Sequence, residues 1–288
     1  MVVTPKAPPQ PLLEVAAPRR AQARARPMIG VFDSGFGGLT VLRELQKVLP
    51  GADYLYFGDT AHLPYGAKSV HTVAKYAVAS AHFLECHGIE MLVVACNTAT
   101  ALALDQIRAS VSVPVVGVVE PGSQRAAQIS KTKTVAVIAT EATVASHAYQ
   151  RALKKLGLAA TEKACPLFVP LVEEGWVDHP VTEQIAHIYM DEIFRDGARN
   201  ADVLVLGCTH YPLIRPLLRR VVKPQVEIVD SAESTAAQVA QLLGNNCGQG
   251  APGALRCYAT DSVEKFRRLG GPFLGHPIDN IELIDIEK

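Results

Sequence analysis

The chain has 288 residues, 49% of them apolar and 19% charged, and its 28 basic and 28 acidic side chains cancel to zero net charge. That balance excludes the electrostatic footprint of a nucleic-acid binder and a polybasic membrane patch. No apolar run approaches the roughly eighteen residues of a membrane span, and the length suits two modest domains with well-buried cores.

Six cysteines (Cys86, Cys96, Cys165, Cys208, Cys247 and Cys257) occur without a CxxC pair, and the first residues lack a leader's apolar core and cleavage site. Reduced thiols in a cytoplasmic protein are therefore expected. Residues 1–27, rich in Pro, Ala and Arg and without hydrophobic periodicity, read as a disordered extension.

Folding is expected to begin at Pro27. MIGVF (28–32) reads as a buried strand, followed by the turn Asp33–Gly38 and an amphipathic helix over 39–49 that Pro50-Gly51 ends. A second strand (53–59) leads into the loop TAHLPYG, and Ser69 caps a helix over 69–87 that Gly88 stops. IEMLVVA is the third strand and delivers Cys96; the helix TATALALDQIRAS and a fourth strand, VPVVGVVEP (113–121), follow. A second series starts with a strand over 133–140 and a helix over 144–156 closed by Gly157. ACPLFVPLVEEG (164–175) reads as a strand with a loop, and 180–196 as a helix before Gly197. ADVLVLG delivers Cys208, a helix runs from Pro212, and VEIVD (226–230) is another strand. The tail offers a helix over 234–243 and weak strands such as LRCYAT, and is expected to return to the first domain.

Strands alternating with helices, β-branched and buried on both faces, predict an α/β fold with parallel sheets. The two series match in order, which implies an internal repeat. The expectation is two similar open parallel-sheet α/β domains related by pseudo-two-fold symmetry. Residues 28–118 plus 234–288 would form one and 119–233 the other, with a cleft between them at the carboxyl ends of the strands.

The glycine-rich turn Asp33-Ser34-Gly35-Phe36-Gly37-Gly38 stands where nucleotide loops stand, but Thr40 occupies the last glycine position of GxGxxG and no Lys-Ser/Thr pair follows. It can still cradle a small anion such as a carboxylate. Asp33 is then either a helix-capping carboxylate or a group that handles a proton or an ammonium. Cys96 and Cys208 each end an apolar run, in VACNTAT and LGCTHYP. A thiol between a strand and a helix N-terminus is placed to ionise. His210 stands two residues from Cys208. Four schemes can use two cysteines and a histidine: a zinc site, a cysteine hydrolase with His210 as base, a disulfide oxidoreductase, and inversion at a carbon acid by two facing thiols. The last requires two similar acid/base groups, which a duplicated fold supplies.

DSGFGGLTVL, GDTAHLPYG, ACNTATA, VPLVEEG and GCTHYPLI, in order from about residue 28 to 235, resemble the glutamate racemases of the aspartate/glutamate racemase superfamily. The resemblance implies a cofactor-independent racemisation that supplies D-glutamate for peptidoglycan. Cys96 would act on the D-enantiomer and Cys208 on the L-enantiomer, assisted by Asp33, His210 and Glu173, with Glu174 the adjacent alternative. Substrate contacts would come from Asp33-Ser34, Tyr65-Gly66, Asn97-Thr98, Thr143 and Thr209-His210. A homodimer and activation by a UDP-linked muramoyl-alanine are further implications, while the charge balance and the lack of long apolar runs lead to the expectation of no nucleic-acid and no membrane partner. Aspartate racemisation and an inactive two-domain amino-acid-binding protein are the alternatives. The chain departs from the pattern at His62, where arginine is common, and in residues 1–27.

Overall fold

The computed structural model describes residues 26–244 and 251–286. Most of the expected extension, up to residue 25, and Cys247 lie outside the described residues. Arg26 and Pro27 join the body: the Pro27 carbonyl accepts from the Asp53 N–H, and Arg26 donates to the Pro252 carbonyl.

The first half runs β1 (Met28–Asp33), α1 (Leu39–Val48), β2 (Asp53–Gly58), α2 (Val70–Cys86), β3 (Met91–Val94), α3 (Asn97–Ser110), β4 (Val115–Gly117) and α4 (Val119–Ile129). The second runs β5 (Thr134–Ala139), α5 (Glu141–Ala145), α6 (Ala148–Lys155), β6 (Ala159–Ala164), α7 (Phe168–Glu173), α8 (Pro180–Asp196), β7 (Val203–Gly207), α9 (Arg215–Val221) and β8 (Glu227–Asp230). The chain then continues through α10 (Ser231–Leu243), β9 (Leu255–Ala259), α11 (Val263–Leu274) and β10 (Ile281–Leu283).

Two parallel sheets result, ordered β10-β9-β2-β1-β3-β4 and β6-β5-β7-β8. The order β2-β1-β3-β4 equals β6-β5-β7-β8, so the sequence repeat is a repeat of topology. In each sheet the strand order reverses direction beside the first strand, at β1/β3 and at β5/β7, the crevice where open α/β sheets bind ligands. β1, β3, β5 and β7 are almost wholly buried apolar strands, as both faces carry helices.

Several element expectations are corrected. ACPLFVPLVEEG is no strand: β6 precedes it, and Phe168–Glu173 is helical. β6 (AATEKA) pairs only with β5 at the sheet edge and stays part-exposed, so it lacks the apolar signal of a buried strand. α7 starts with Pro170 in its first turn, where the missing N–H costs nothing, and buries Phe168 and Val172 at i, i+4. The strand expected over 113–121 is only Val115–Gly117, because α4 begins at Val119 with Pro121 likewise in its first turn. The helix expected over 144–156 is broken at His147, whose φ of 53° is left-handed. α11 escaped the sequence pattern because Gly270, Gly271 and Pro272 interrupt it, yet it buries Phe266, Phe273 and Leu274. Ser69 and Gly157 cap α2 and α6 as the sequence indicates, Ser69 accepting from the Thr72 N–H and Gly157 adopting φ 77°.

Candidate active site

β1 ends at Asp33 and the glycine turn; β3 ends just before Cys96, which precedes α3. From the other sheet, β7 ends at Gly207 and hands over to Cys208, Thr209 and His210. The two strand ends meet at a cavity of about 130 Å³, small beside the roughly 300–1,000 Å³ of drug-sized sites and suited to a compact metabolite. Ser34, Tyr65, Gly66, Cys96, Asn97, Thr98, Cys208, Thr209 and His210 line it. Both thiols are buried, at 5% and 7% exposure, so bulk water is largely excluded from them. A larger open groove of about 460 Å³ lies between α3, α4 and α6, but no cysteine or histidine lines it, so volume alone does not mark the site.

Glycines allow the two halves to approach. A Cβ on Gly37 would lie 2.6 Å from His210 Nδ1 and would also strike Thr209 Oγ1; one on Gly38 would lie 2.6 Å from Asp33 Cβ. Thr40, the residue that breaks the dinucleotide fingerprint, donates from its hydroxyl to the Gly37 carbonyl and lies 3.2 Å from the Thr209 carbonyl. The turn that resembles a phosphate loop thus serves as an inter-half contact.

The two thiols have unlike surroundings. Cys96 Sγ accepts from the Ala99 N–H at 3.4 Å and lies 3.6 Å from Ser34 Oγ. The helix terminus favours a thiolate, as the sequence suggested, but burial, reinforced by Asp33, outweighs it and pushes the thiol up to about 12. Asp33 is not a helix cap: its Oδ2 accepts from the Gly35 N–H at 2.9 Å within the turn, and Oδ1 has no aligned hydrogen bond among the described residues. Burial raises its carboxyl, with His210 and the N–H groups of Gly35, Gly38 and Ser34 pulling the other way.

On the other side, Cys208 Sγ lies 3.9 Å from His210 Nδ1. Glu173 Oε1 stands 3.3 Å from His210 Nε2, an ion-pair contact rather than an aligned hydrogen bond. Burial alone would lower the imidazole, but Cys208 and Glu173 together lift it to about 10. Phe36 and Phe273 pack against the ring at centroid distances of 6.0 and 5.1 Å. Glu174 is exposed at the helix end, whereas Glu173 contacts His210.

Three of the residues singled out by sequence stand behind the cavity wall. Asp33 and Glu173 reach it through their neighbours, and Thr143 through hydroxyl contacts with Thr98 (3.1 Å) and Thr140 (2.9 Å). Thr140, which caps α5, and Glu141, which begins it, also line the cavity and were not anticipated; they follow β5 as the glycine turn follows β1, and that equivalence was the signal available. No Lys or Arg lines the cavity among the described residues, so hydroxyl, amide and backbone donors and His210 must meet any substrate carboxylate. The zinc scheme finds no group of three His, Cys, Asp or Glu side chains able to hold a metal among the described residues. His62 faces away from this chemistry: its Nδ1 lies 2.7 Å from buried Asp59, and its ring stacks on Tyr76.

Two similar sheets that deliver paired thiols to one cleft define a class, the racemases acting at carbon acids, and the Asp/Glu/Hydantoin racemase family matches residues 29–239. The chain belongs to that family. Within it, the chain is 59% identical to the glutamate racemase of Koribacter versatilis, across 92% of this chain and 99% of that one. The structure of Francisella tularensis glutamate racemase in complex with D-glutamate superposes with a TM-score of 0.83 at 35% identity, covering 91% and 98%. That of Escherichia coli glutamate racemase in complex with L-glutamate and the activator UDP-MurNAc-Ala gives 0.71 at 28% identity, covering 90% and 98%. No helix among the described residues is long and apolar enough to cross a membrane.

Proposed function

We propose that this enzyme racemises glutamate by two-thiol proton transfer, supplying D-glutamate for peptidoglycan. The observation that carries the reading is the delivery of Cys96 and Cys208 by equivalent strand ends to one small buried cavity. A sulfur on one face takes the Cα proton, and the bonding pair stays on Cα. The thiol on the other face gives its proton to that pair, forming the new C–H bond with inverted configuration. Hydroxyl and amide groups of Ser34, Asn97, Thr98 and Thr209 hold the substrate, and protonated His210 offsets its negative charge. Cys208, facing the imidazolium, is the base toward L-glutamate; Cys96, kept as a thiol, is the matching acid, and the roles exchange for D-glutamate. Asp33 and Glu173 assist the respective thiols, Glu173 through His210. No cofactor is needed in this scheme.

The test is deuterium incorporation at Cα, followed by NMR in D₂O with purified protein and no added cofactor. L- and D-glutamate should each exchange with inversion, and L-aspartate should not. Exchange of aspartate in preference to glutamate, or of neither even with UDP-MurNAc-alanine added, overturns the reading. Activation by UDP-MurNAc-alanine, a property of the E. coli relative, extends the proposal to this chain; a rate unchanged by that compound removes the extension. The expected cytoplasmic homodimer belongs to the same reading, and light scattering that gives a monomer mass overturns the dimer.

A further inference from the structure

Tyr149 lies on α6, in the second half, and is completely buried. Its hydroxyl accepts from Asn97 Nδ2 at 2.7 Å, across the boundary between the halves, and lies 3.1 Å from Ser231 Oγ at the start of α10. Its ring packs on the end of β7, where a Cβ on Gly207 would stand 3.0 Å from Tyr149 Cε2. Asn97 directly follows Cys96, and Gly207 directly precedes Cys208. One side chain therefore touches both thiol-bearing strand ends, and the two-thiol reaction does not itself use it.

We infer that Tyr149 is a positioning residue that sets the two thiol segments against each other and turns the Asn97 amide for substrate. An asparagine amide has a donor end and an acceptor end. One N–H of Nδ2 is committed to the Tyr149 hydroxyl, which fixes the plane in which the Asn97 amide meets the cavity it lines. The hydroxyl, having accepted from Asn97, also pairs with Ser231 Oγ, a contact in which either oxygen can donate. Burying a hydroxyl is costly unless it is bonded, and a phenylalanine would fill the same volume without that cost. The hydroxyl is thus accounted for by Asn97 and Ser231, and the ring by Gly207.

The inference rests on the glutamate racemase reading, and the test separates the two. Tyr149→Phe keeps the ring and frees the Asn97 amide. KM for both enantiomers should rise about ten-fold, the loss expected when a buried donor is left without its acceptor, and kcat should change less than about three-fold. In an Asn97→Ala background the same substitution should add nothing to KM, whereas a merely structural tyrosine would add its effect in full. Ser231→Ala, which leaves the Asn97 bond in place, should keep KM within about two-fold of wild type. A second readout does not depend on how Tyr149→Phe folds. 3-Fluorotyrosine at position 149 should show a fluorine shift when D-glutamate binds, and no shift in Asn97→Ala. Wild-type protein without Cα exchange would sink the racemase reading. Active wild type with an unchanged KM in Tyr149→Phe, additive effects with Asn97→Ala, or a fluorine signal insensitive to glutamate would sink the role of Tyr149 alone.

Discussion

The two halves share a strand order but not a charge. At the end of β3, Cys96 meets a helix terminus, a serine hydroxyl and a buried carboxyl, and it is held as a thiol. At the end of β7, Cys208 meets an imidazole whose pKa Cys208 and Glu173 raise amid aromatic rings. Duplication of an α/β unit thus supplies two thiols in matching positions, and divergence of their neighbours sets a buried carboxyl beside one and an imidazole beside the other. A reaction that must remove a proton from one face and return one to the other needs both outcomes. Symmetry of the backbone gives the geometry, and asymmetry of the side chains sets the surroundings of each thiol.

The sharpest way to break this comparison is to remove each thiol in turn. Cys96→Ser and Cys208→Ser should each lower racemisation at least about 10³-fold, within the range of a lost general acid or base, measured by circular dichroism of glutamate. A hydrolase-like site would suffer only from Cys208→Ser. His210→Asn removes the charge that distinguishes the second half and should cost about 10²-fold in kcat. Because enantiomers have equal free energy, kcat/KM must fall equally in both directions. Only kcat and KM taken singly can reveal which half was altered. Gly37→Ala pushes a methyl group into His210 and Thr209, prising the halves apart, and should cost about thirty-fold through overpacking of the contact. Retained activity in Gly37→Ala would mean that the glycine turn does not set the approach.

The α/β class, its parallel strands and its repeat were legible because β1, β3, β5 and β7 are buried on both faces and spell continuous apolar runs. β6 was not, because an edge strand with one neighbour can be written AATEKA. α7, α4 and α11 were hidden by prolines and glycines, which read as breaks, although a proline in a first turn breaks nothing. At the site, residues adjacent to a strand end could be named from the chain, since the strand carries them there. Contacts made between distant segments could not. Nothing local to Phe273 or Tyr149 says that one packs on His210 and the other bonds Asn97.

Smaller effects test how far the second half depends on its own neighbours. Glu173→Gln should lower kcat about ten-fold by loosening the hold on protonated His210, while Glu174→Gln, exposed beside it, should stay within about two-fold. The reverse ranking would reassign the assisting carboxylate.

Stability against alkali separates the halves without any substrate. His210 has a folded-state pKa raised from 6.5 to about 10, so its contribution is complete below about pH 6.5 and is lost as pH climbs to 10. Cys96, and Cys257 in β9 away from the cavity, are raised from 9.0 to about 12, because burial favours the neutral thiol. Their folded forms keep a proton that the unfolded chain releases, so their contribution falls only between about pH 9 and 12. Between pH 7 and 9 the loss belongs to His210, and the melting temperature should drop by roughly 2–5 °C. His210→Asn should flatten that limb and leave the steeper decline above pH 9. Cys257→Ser should do the opposite, softening the decline above pH 9 while keeping the one below it. If His210→Asn leaves the slope between pH 7 and 9 unchanged, the imidazole is not held protonated in the folded protein, and the charge difference between the two halves disappears with it.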